Sequence, residues 1–262
     1  MPYQHLVVRR DGAVEHVTLN RPDVRNAFNE VLIAEITQWA AATAADRGVR
    51  VAVLSGAGTV FCAGADLNWM AKMASYTFDE NVRDATAAAQ MYAALDALPM
   101  PLVTRIHGAA LGGGAGLAAV SDVAVAGAQT VFGFTEVKVG ILPAMISPFV
   151  LARIGQAAAR ELFLTGMRFD TVRAREIGLV HAVVPDADLD ARVATYVEDV
   201  LTAAPEAVAA AKALLREIAG RPAADVLDLT ARTIATRRAS AEGQEGLHAF
   251  LHKRKPTWIA RP

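Results

Sequence analysis

Segments patterned as strands alternate with segments patterned as helices through the first half of the chain. The strand-like segments are VRVAVLSG (49–56), PLVTRIHG (101–108) and DVAVAG (122–127), and the helix-like segments are 28–45, 80–97 and 112–120. In the first helix-like segment, Phe28, Leu32, Ile36 and Trp39 recur at spacings of three and four residues. The β-α-β-α-β order predicts an α/β fold with parallel strands and right-handed crossovers.

The chain begins and ends with other patterns. HLVVRR and AVEHVTL flank Asp11-Gly12, which predicts a β-hairpin before the alternation starts. After Pro143 the sequence is mostly helical, with Gly155 dividing two helices and a short strand at 178–184. From about 186 it reads as helices alone, broken near Pro205 and at 220–222. Apolar helices at a chain end often pack on a neighbouring subunit, so we expect an oligomer.

Composition excludes several classes of protein. The 262 residues are 53% hydrophobic and 20% charged, with a net charge of −1 and no basic tail, which argues against nonspecific nucleic-acid binding. No stretch reaches the roughly 20 apolar residues of a membrane span, and the N-terminus lacks the apolar block of a signal peptide. A single cysteine, Cys62, excludes an internal disulfide and a cysteine-based zinc site, and we interpret it as a small buried hydrophobe. These features predict a cytoplasmic globular protein.

Five of the 19 glycines fall between Gly108 and Gly116, where a predicted strand gives way to a predicted helix. The stretch matches neither the P-loop pattern nor G-x-G-x-x-G, so nucleotide-phosphate binding is poorly supported. A glycine-rich turn that opens a helix still presents free N–H groups and a partial positive charge, which can hold an oxyanion. Tight packing of helix 112–120 against the sheet explains the same glycines equally well.

A second turn has the same design. LSGAGTVFCAGADLNWM (54–70) runs from a strand into a helix that begins at Leu67, with Gly64-Ala65-Asp66 at the junction and Asp66 as its cap. Two strand-to-helix turns that converge at neighbouring strand ends would aim two amides at one oxygen. The pair of turns therefore predicts an oxyanion hole more specifically than either turn alone.

Glu136 is the candidate acid or base. It stands in VFGFTEVKVGILP, among Phe132, Phe134, Val137 and Val139, and apolar surroundings raise the pKa of a carboxyl group. The alternative is an exposed glutamate that pairs with Lys138 or Arg153.

Taken together, the motifs resemble the enoyl-CoA hydratase/isomerase (crotonase) family. NRPDVRNAFN (20–29), FCAGADL (61–67), HGAALGGGAGLAAVSD (107–122), FGFTEVKVGILP (132–143) and AFLHKRKPTW (249–258) occur in the family's order and spacing. The resemblance implies an acyl-CoA thioester substrate, with coenzyme A present only as part of it and no permanent cofactor or metal. It also implies a spiral of ββα units over residues 1–200 and a helical region over 201–262 that contacts CoA and forms trimers or hexamers.

The same resemblance assigns residues to roles. It places the oxyanion donors at the amides of Ala65 and Gly113, with Glu136 as the catalytic acid/base. For CoA it implies Ala63 beside the adenine and Arg25 and Lys253 near the phosphates, although both charges are also compatible with a solvated surface. The remaining assignments are Asp66 and Leu67 to CoA binding and Trp69, Met70, Gly112, Gly116 and Leu142 to the acyl pocket.

One departure from the family pattern leaves the reaction open. Two-carboxylate hydratases carry a glutamate at the position of Gly116, and single-glutamate members are often double-bond isomerases, so Gly116 alone favours an isomerase. AGADLNWM, LPAMISPFV and SAEGQEGLHAFLHKR instead resemble a bacterial branch of methylglutaconyl-CoA hydratases, which act in leucine and isoprenoid breakdown and also lack the first glutamate. In that case Lys72 or Arg83 are candidates to meet a second carboxylate. We therefore predict a hydratase that adds water to a short 2-enoyl-CoA, such as methylglutaconyl-CoA, with the 3-enoyl to 2-enoyl isomerase as the alternative. A protein that binds acyl-CoA without catalysis is the alternative from another class.

Overall fold

The computed structural model describes residues 3–259 and arranges them around two β-sheets. The strands, in chain order, are β1 (Leu6–Asp11), β2 (Val14–Leu19), β3 (Val51–Gly56), β4 (Leu102–Ile106), β5 (Ala109–Leu111), β6 (Val123–Gly127), β7 (Val131–Gly133), β8 (Arg168–Phe169) and β9 (Ala182–Val184). The larger sheet has the order β1-β2-β3-β4-β6-β9, and the smaller has β5-β7-β8. From β2 to β9 the neighbours in the larger sheet are parallel, which confirms the α/β prediction.

The predicted hairpin is confirmed. β1 and β2 pair antiparallel from Leu6 opposite Leu19 to Asp11 opposite Val14. Only two residues then connect the strands, and Gly12 takes a positive φ of 56° in the turn.

Helices occupy the connections and the C-terminal part. They are α1 (Glu30–Ala45), α2 (Leu67–Met73), α3 (Phe78–Asp96), α4 (Gly113–Val120), α5 (Ser147–Thr165), α6 (Thr171–Glu176), α7 (Leu189–Thr202), α8 (Pro205–Ile218), α9 (Leu227–Ala239) and α10 (Ala241–Leu251). Gly155 has non-helical angles (φ 72°, ψ 168°) within α5, which confirms the predicted division there. Within residues 3–259, no helix has both the length and the apolar character that crossing a membrane requires.

The larger sheet is buried on both faces. Val51 and Val53 of β3 pack with Leu189 and Val193 of α7 on one face, whereas the alternate residues Ala52 and Leu54 join the core formed with α1 and α3 on the other. Parallel strands covered by helices on both sides need apolar residues at consecutive positions rather than at alternate ones. This requirement explains the continuous apolar run that opens β3.

The chain repeats a strand-strand-helix unit as it winds. β4 leads into β5 of the smaller sheet and then into α4, and β6 leads into β7 and then into α5. The unit before them replaces its second strand with a single bridge, Cys62 to Ala110, before α2. These stacked ββα units are the spiral that the family resemblance implies. Sequence analysis did not predict the smaller sheet, because strands of two or three residues carry no readable periodicity.

The helical C-terminal region is present, and the breaks predicted near Pro205 and at 220–222 are confirmed by the ends of α8 and the start of α9. Arg50, at the entry to β3, donates to the carbonyl oxygens of Leu201, Ala203 and Trp258 at 2.8, 2.5 and 2.8 Å. It therefore ties the sheet to the C-terminal helices. The division of the chain at residue 200 stays a prediction.

Candidate active site

A cavity of about 240 Å³ lies where α2, α3, the N-terminus of α4 and the segment 135–146 meet. Its wall is mostly apolar, but it includes three residues predicted to do chemistry, Ala65, Gly113 and Glu136. The complete wall consists of Phe28, Ile33, Ala63, Gly64, Ala65, Trp69, Met70, Met73, Ala88, Met91, Tyr92, Gly112, Gly113, Thr135, Glu136, Val139, Ile141, Leu142, Pro143, Met145 and Ile146.

The amide of Gly113 is free because of the way α4 begins. Gly112 precedes the helix with φ 51° and ψ −119°, a combination that only glycine adopts readily. Gly113 is therefore the first helical residue, and no carbonyl four positions earlier is placed to accept from its N–H. No other acceptor for this N–H occurs among the described residues. The amide thus sits at the positive end of α4, on the wall of the cavity.

The amide of Ala65 is free for a different reason. Phe28 donates its N–H to the oxygen of Gly64 at 2.7 Å and accepts from the N–H of Asp66 at 2.9 Å, which forms a parallel bridge. In such a bridge, the residue between the two bonded neighbours points its own N–H and C=O the other way. Over residues 3–259 the Ala65 N–H has no acceptor, and Ala65 lines the same cavity as Gly113.

Backbone hydrogen bonds hold the two turns side by side. Cys62 donates its N–H to Ala109 and accepts from the N–H of Leu111, each at 3.0 Å. A β-carbon at Gly114 would lie 2.6 Å from the oxygen of Cys62, so the approach requires glycine there. The thiol of Cys62 is fully buried and donates to the carbonyl of Asn26, and burial raises its pKa to about 12. Cys62 is therefore a packed thiol rather than a nucleophile.

Glu136 begins a short 3-10 turn and directs its carboxylate into the cavity. Its Oε2 is buried and has no hydrogen-bond partner in the described part of the chain, and burial raises the pKa of the group. A β-carbon on Gly112 would lie 3.0 Å from Oε1, so the carboxylate touches the backbone just before α4. The alternative of an exposed, paired glutamate is wrong: Arg153 instead donates to the carbonyls of Ala119 and Ser121.

Four residues predicted for the acyl pocket lie on the wall, namely Trp69, Met70, Gly112 and Leu142. The indole N–H of Trp69 donates to Asp84 at 3.1 Å, which fixes the ring at the base of α2. Ala63 also lines the cavity, and its N–H donates to the carbonyl of Arg25 at 3.0 Å.

Gly116 does not line the cavity, which corrects its assignment to the pocket. It is buried one turn into α4, and a β-carbon there would collide with the side chain of Ile146 and lie 3.2 Å from Cε1 of Tyr92. Ile146 and Tyr92 form the wall in front of it. The space that a glutamate at 116 would need is therefore already filled.

Two residues assigned to CoA binding, Leu67 and Asp66, lie off the cavity wall, and their assignment stays a prediction. Leu67 is 81% exposed and lies off the cavity wall. Asp66 is buried, caps α2 by accepting from the N–H groups of Asn68 and Trp69, and pairs with Arg21 at 2.9 Å. The carboxylate of Asp66 is thus committed to holding the loop, as the predicted cap requires.

Arg25 and Lys253 stay predictions as phosphate ligands. Both are exposed, and neither takes part in an ion pair within residues 3–259. Lys253 follows α10, and neither Lys253 nor Arg25 lies on the cavity wall. In the same residues, no three His, Cys, Asp or Glu side chains are grouped to hold a metal ion.

Sequence reasoning missed Asn26, which positions the turn that contains Ala65. Asn26 is fully buried with φ 55°, and its side-chain amide donates to the carbonyls of Ala57 and Val60 at 2.7 and 2.9 Å. Its Oδ1 accepts from the N–H of Arg21. An asparagine within RPDVRNAF carries a signal for a turn, but the pattern does not reveal a contact with a loop 31 residues away.

The comparisons with known proteins agree with this geometry. A model of the enoyl-CoA hydratase/isomerase family matches residues 9–261. The 2,3-dehydroadipyl-CoA hydratase of Escherichia coli (strain K12) is 34% identical over 258 residues, which cover 98% of this chain and 99% of that protein. The structure of an enoyl-CoA hydratase from Shewanella pealeana has a TM-score of 0.94 at 40% identity, and the match covers 98% of this chain and 96% of that one.

Pseudomonas aeruginosa AtuE has a TM-score of 0.93 at 43% identity, with 98% of this chain and 100% of that one covered. Likeness of this extent confirms the fold class and the resemblance stated from the motifs. The chain belongs to the enoyl-CoA hydratase/isomerase family.

Proposed function

We propose that this protein is an enoyl-CoA hydratase that adds water to a 2-enoyl-CoA thioester. One observation carries the proposal: two unsatisfied backbone N–H groups, of Ala65 and Gly113, and one unpaired buried carboxylate, of Glu136, line the same cavity. The two amides suit a thioester oxygen that gains negative charge, and the carboxylate suits proton transfer beside it.

The reaction would run through one acid/base group. The oxygen of a water molecule attacks Cβ while Glu136 takes one of its protons, and the electrons of the double bond move towards the thioester oxygen. The amides of Ala65 and Gly113 stabilise this enolate. Glu136 then returns the proton to Cα, so that water has been added across the double bond and the carboxylate is regenerated.

A second candidate is the isomerisation of a 3-enoyl to a 2-enoyl thioester. It is favoured by the absence of a second carboxylate from the cavity wall in the described residues. A single base can carry a proton from Cα to Cγ over the same stabilised enolate. A purely binding role gains no support from Glu136, because an unpaired buried carboxylate costs stability that acyl-chain binding does not require.

The side chains on the cavity wall indicate which acyl group the site can hold. Apart from Glu136, Thr135, Tyr92 and Trp69, the side chains on it are apolar, and none of the described wall residues is Lys, Arg or His. Lys72 pairs with Glu30 outside the cavity, and Arg83 is exposed. We therefore propose an uncharged short or branched acyl chain, in preference to methylglutaconyl-CoA with its distal carboxylate.

The test is a panel of CoA esters offered to the wild type, Glu136→Gln and Glu217→Gln, in which an exposed carboxylate is changed instead. We expect loss of 2-enoyl absorbance with crotonyl-CoA and formation of the 3-hydroxyacyl ester by mass spectrometry, with a lower rate for methylglutaconyl-CoA. Glu136→Gln should lower kcat about 100-fold or more and leave the Kd for CoA esters unchanged.

Three results would redirect the proposal. Turnover confined to 3-enoyl esters favours the isomerase, and faster turnover of methylglutaconyl-CoA contradicts the uncharged acyl chain. Full activity of Glu136→Gln contradicts the role of that carboxylate.

We also propose that the chain assembles into trimers or hexamers. Several large apolar side chains are exposed on the C-terminal helices, with Phe250 at 82% and Leu251 at 73%. Apolar side chains grouped at a surface are typical of subunit contacts. Light scattering during size-exclusion chromatography measures the assembly directly, and a monomer at micromolar concentration would contradict it.

A further inference from the structure

Tyr92 of α3 is the one tyrosine on the wall of the cavity among the described residues. Its ring is 3% exposed, and its hydroxyl donates to the carbonyl oxygen of Gly113 at 2.9 Å. A β-carbon on Gly113 would lie 2.7 Å from the same hydroxyl oxygen. The hydroxyl thus lies against the residue whose amide is the proposed oxyanion donor.

The hydroxyl of Tyr92 and the carboxylate of Glu136 flank the start of α4 together. Glu136 touches the backbone at Gly112, and Tyr92 touches the next residue, Gly113. No described hydrogen bond joins the two side chains, and both residues line the cavity. These two polar groups lie on a wall that is mostly apolar.

Tyr92 also stands in front of Gly116, where two-carboxylate family members carry their other glutamate. Its Cε1 lies 3.2 Å from the β-carbon position of Gly116, and Ile146 fills the rest of that space. A polar group other than a second carboxylate is therefore present on this side of the cavity.

The hydroxyl is available as an acceptor. It has one proton, which goes to Gly113, and its oxygen keeps two lone pairs for which the described residues supply no donor. Burial, together with the nearby Cys62 thiol and Glu136 carboxylate, raises the pKa of Tyr92 well above its ordinary value, so the group stays a neutral hydroxyl.

We propose that Tyr92 is a catalytic residue that accepts one hydrogen bond from the attacking water while Glu136 accepts a second. The inference rests on the proposed hydration and extends it. The water then has both protons engaged, one on the Tyr92 oxygen and one on the carboxylate, and one of its two lone pairs is free to attack Cβ. The first proton stays on the product hydroxyl, and the second passes through Glu136 to Cα, so the atoms balance.

The test compares two reactions that share the oxyanion hole and Glu136 but differ in their need for water. The first is hydration of the best 2-enoyl ester, and the second is exchange of the Cα proton of the matching saturated ester with solvent deuterium. We expect Tyr92→Phe to lower kcat for hydration at least tenfold at unchanged KM and to change the exchange rate less than twofold. Orientation of a reactant accounts for a loss of this size.

Tyr196→Phe is the matched control, because its hydroxyl accepts from Arg192 on α7, away from the cavity. It should leave both rates unchanged. Equal losses in hydration and exchange for Tyr92→Phe would mean that the hydroxyl acts only through Gly113, and that result overturns the proposal. Hydration at the wild-type rate in Tyr92→Phe overturns it as well, whereas a wild type that hydrates no ester overturns the proposed function itself.

Discussion

The buried carboxylate of Glu136 opposes folding. Its Oε2 is buried without a hydrogen-bond partner in residues 3–259, and a buried charge that lacks compensation destabilises the folded state. Perturbed carboxylates of this kind cluster at functional sites, where proton transfer needs a pKa closer to the working pH. Folding stability and reactivity therefore make opposite demands at this position.

This opposition gives a prediction for pH. Burial raises the pKa of Glu136 in the folded protein above its ordinary 4.5. At a pH between 4.5 and the raised pKa, the folded protein therefore keeps a proton that the unfolded chain has lost. The free energy of unfolding must then fall as pH rises through this window. Glu136→Gln cannot ionise, so we expect it to be more stable than the wild type at pH 8 and equal to it in stability at the acid end.

Urea unfolding of both proteins across pH 4 to 8 measures the difference, and Glu217→Gln controls for the loss of one surface charge. If the gap between wild type and Glu136→Gln does not widen with pH, the buried ionised carboxylate is the wrong explanation. The same shift places the acid limb of kcat/KM above the range of an ordinary glutamate, because the ionised form is the base.

Sequence analysis identified Glu136 from its apolar neighbours, and the absence of a glutamate at Gly116 was equally visible. It did not indicate what fills the space beside Gly116. Tyr92 and Ile146 lie 24 and 30 positions away along the chain, each within a helical or apolar pattern that core packing explains fully. Only the tertiary contacts identify them as neighbours of the reactive carboxylate.

At the scale of elements, the site is made by the N-termini of two helices. α4 begins at a glycine with special backbone angles, whereas α2 begins at a buried cap, Asp66, that also pairs with Arg21. The cap follows directly after Ala65, so the same contacts that start α2 hold the oxyanion turn. Glycine turns and caps are local signals, and both were predicted from sequence.

We predict that Asp66→Ala lowers the free energy of unfolding by about 3 kcal/mol, because it removes a helix cap and leaves Arg21 without its buried partner. Asp66→Asn should cost less, since an amide oxygen can still cap α2. Asp170→Ala is the matched control: Asp170 caps α6 at the surface, so its loss should cost only about 1 kcal/mol. Chemical denaturation compares the three, and equal losses for the two alanine variants would rule out a special role for the ion pair with Arg21.

At the scale of the whole molecule, one arginine connects the sheet to the C-terminal helices. The substitution Arg50→Met would remove three charge-assisted hydrogen bonds and leave the carbonyls of Leu201, Ala203 and Trp258 without a donor. We expect a loss of about 2–4 kcal/mol in unfolding free energy and faster proteolysis after residue 203. Arg47→Met, at an exposed arginine three positions earlier, should change neither measurement. Cleavage of Arg50→Met at the wild-type rate would contradict the stabilising role of these three hydrogen bonds.

By itself, the sequence determined the parallel sheet, the hairpin, the helical C-terminal region, the two glycine-bearing turns and the family, because periodicity, turn chemistry and motif spacing are local along the chain. Only the tertiary structure decided that the smaller sheet exists, that Gly116 is covered, and that Tyr92 joins Glu136 at one cavity. Strands of two or three residues are formed by their partners rather than by their own pattern. The contents of a cavity likewise depend on contacts between distant segments, which no spacing of residues along the chain encodes.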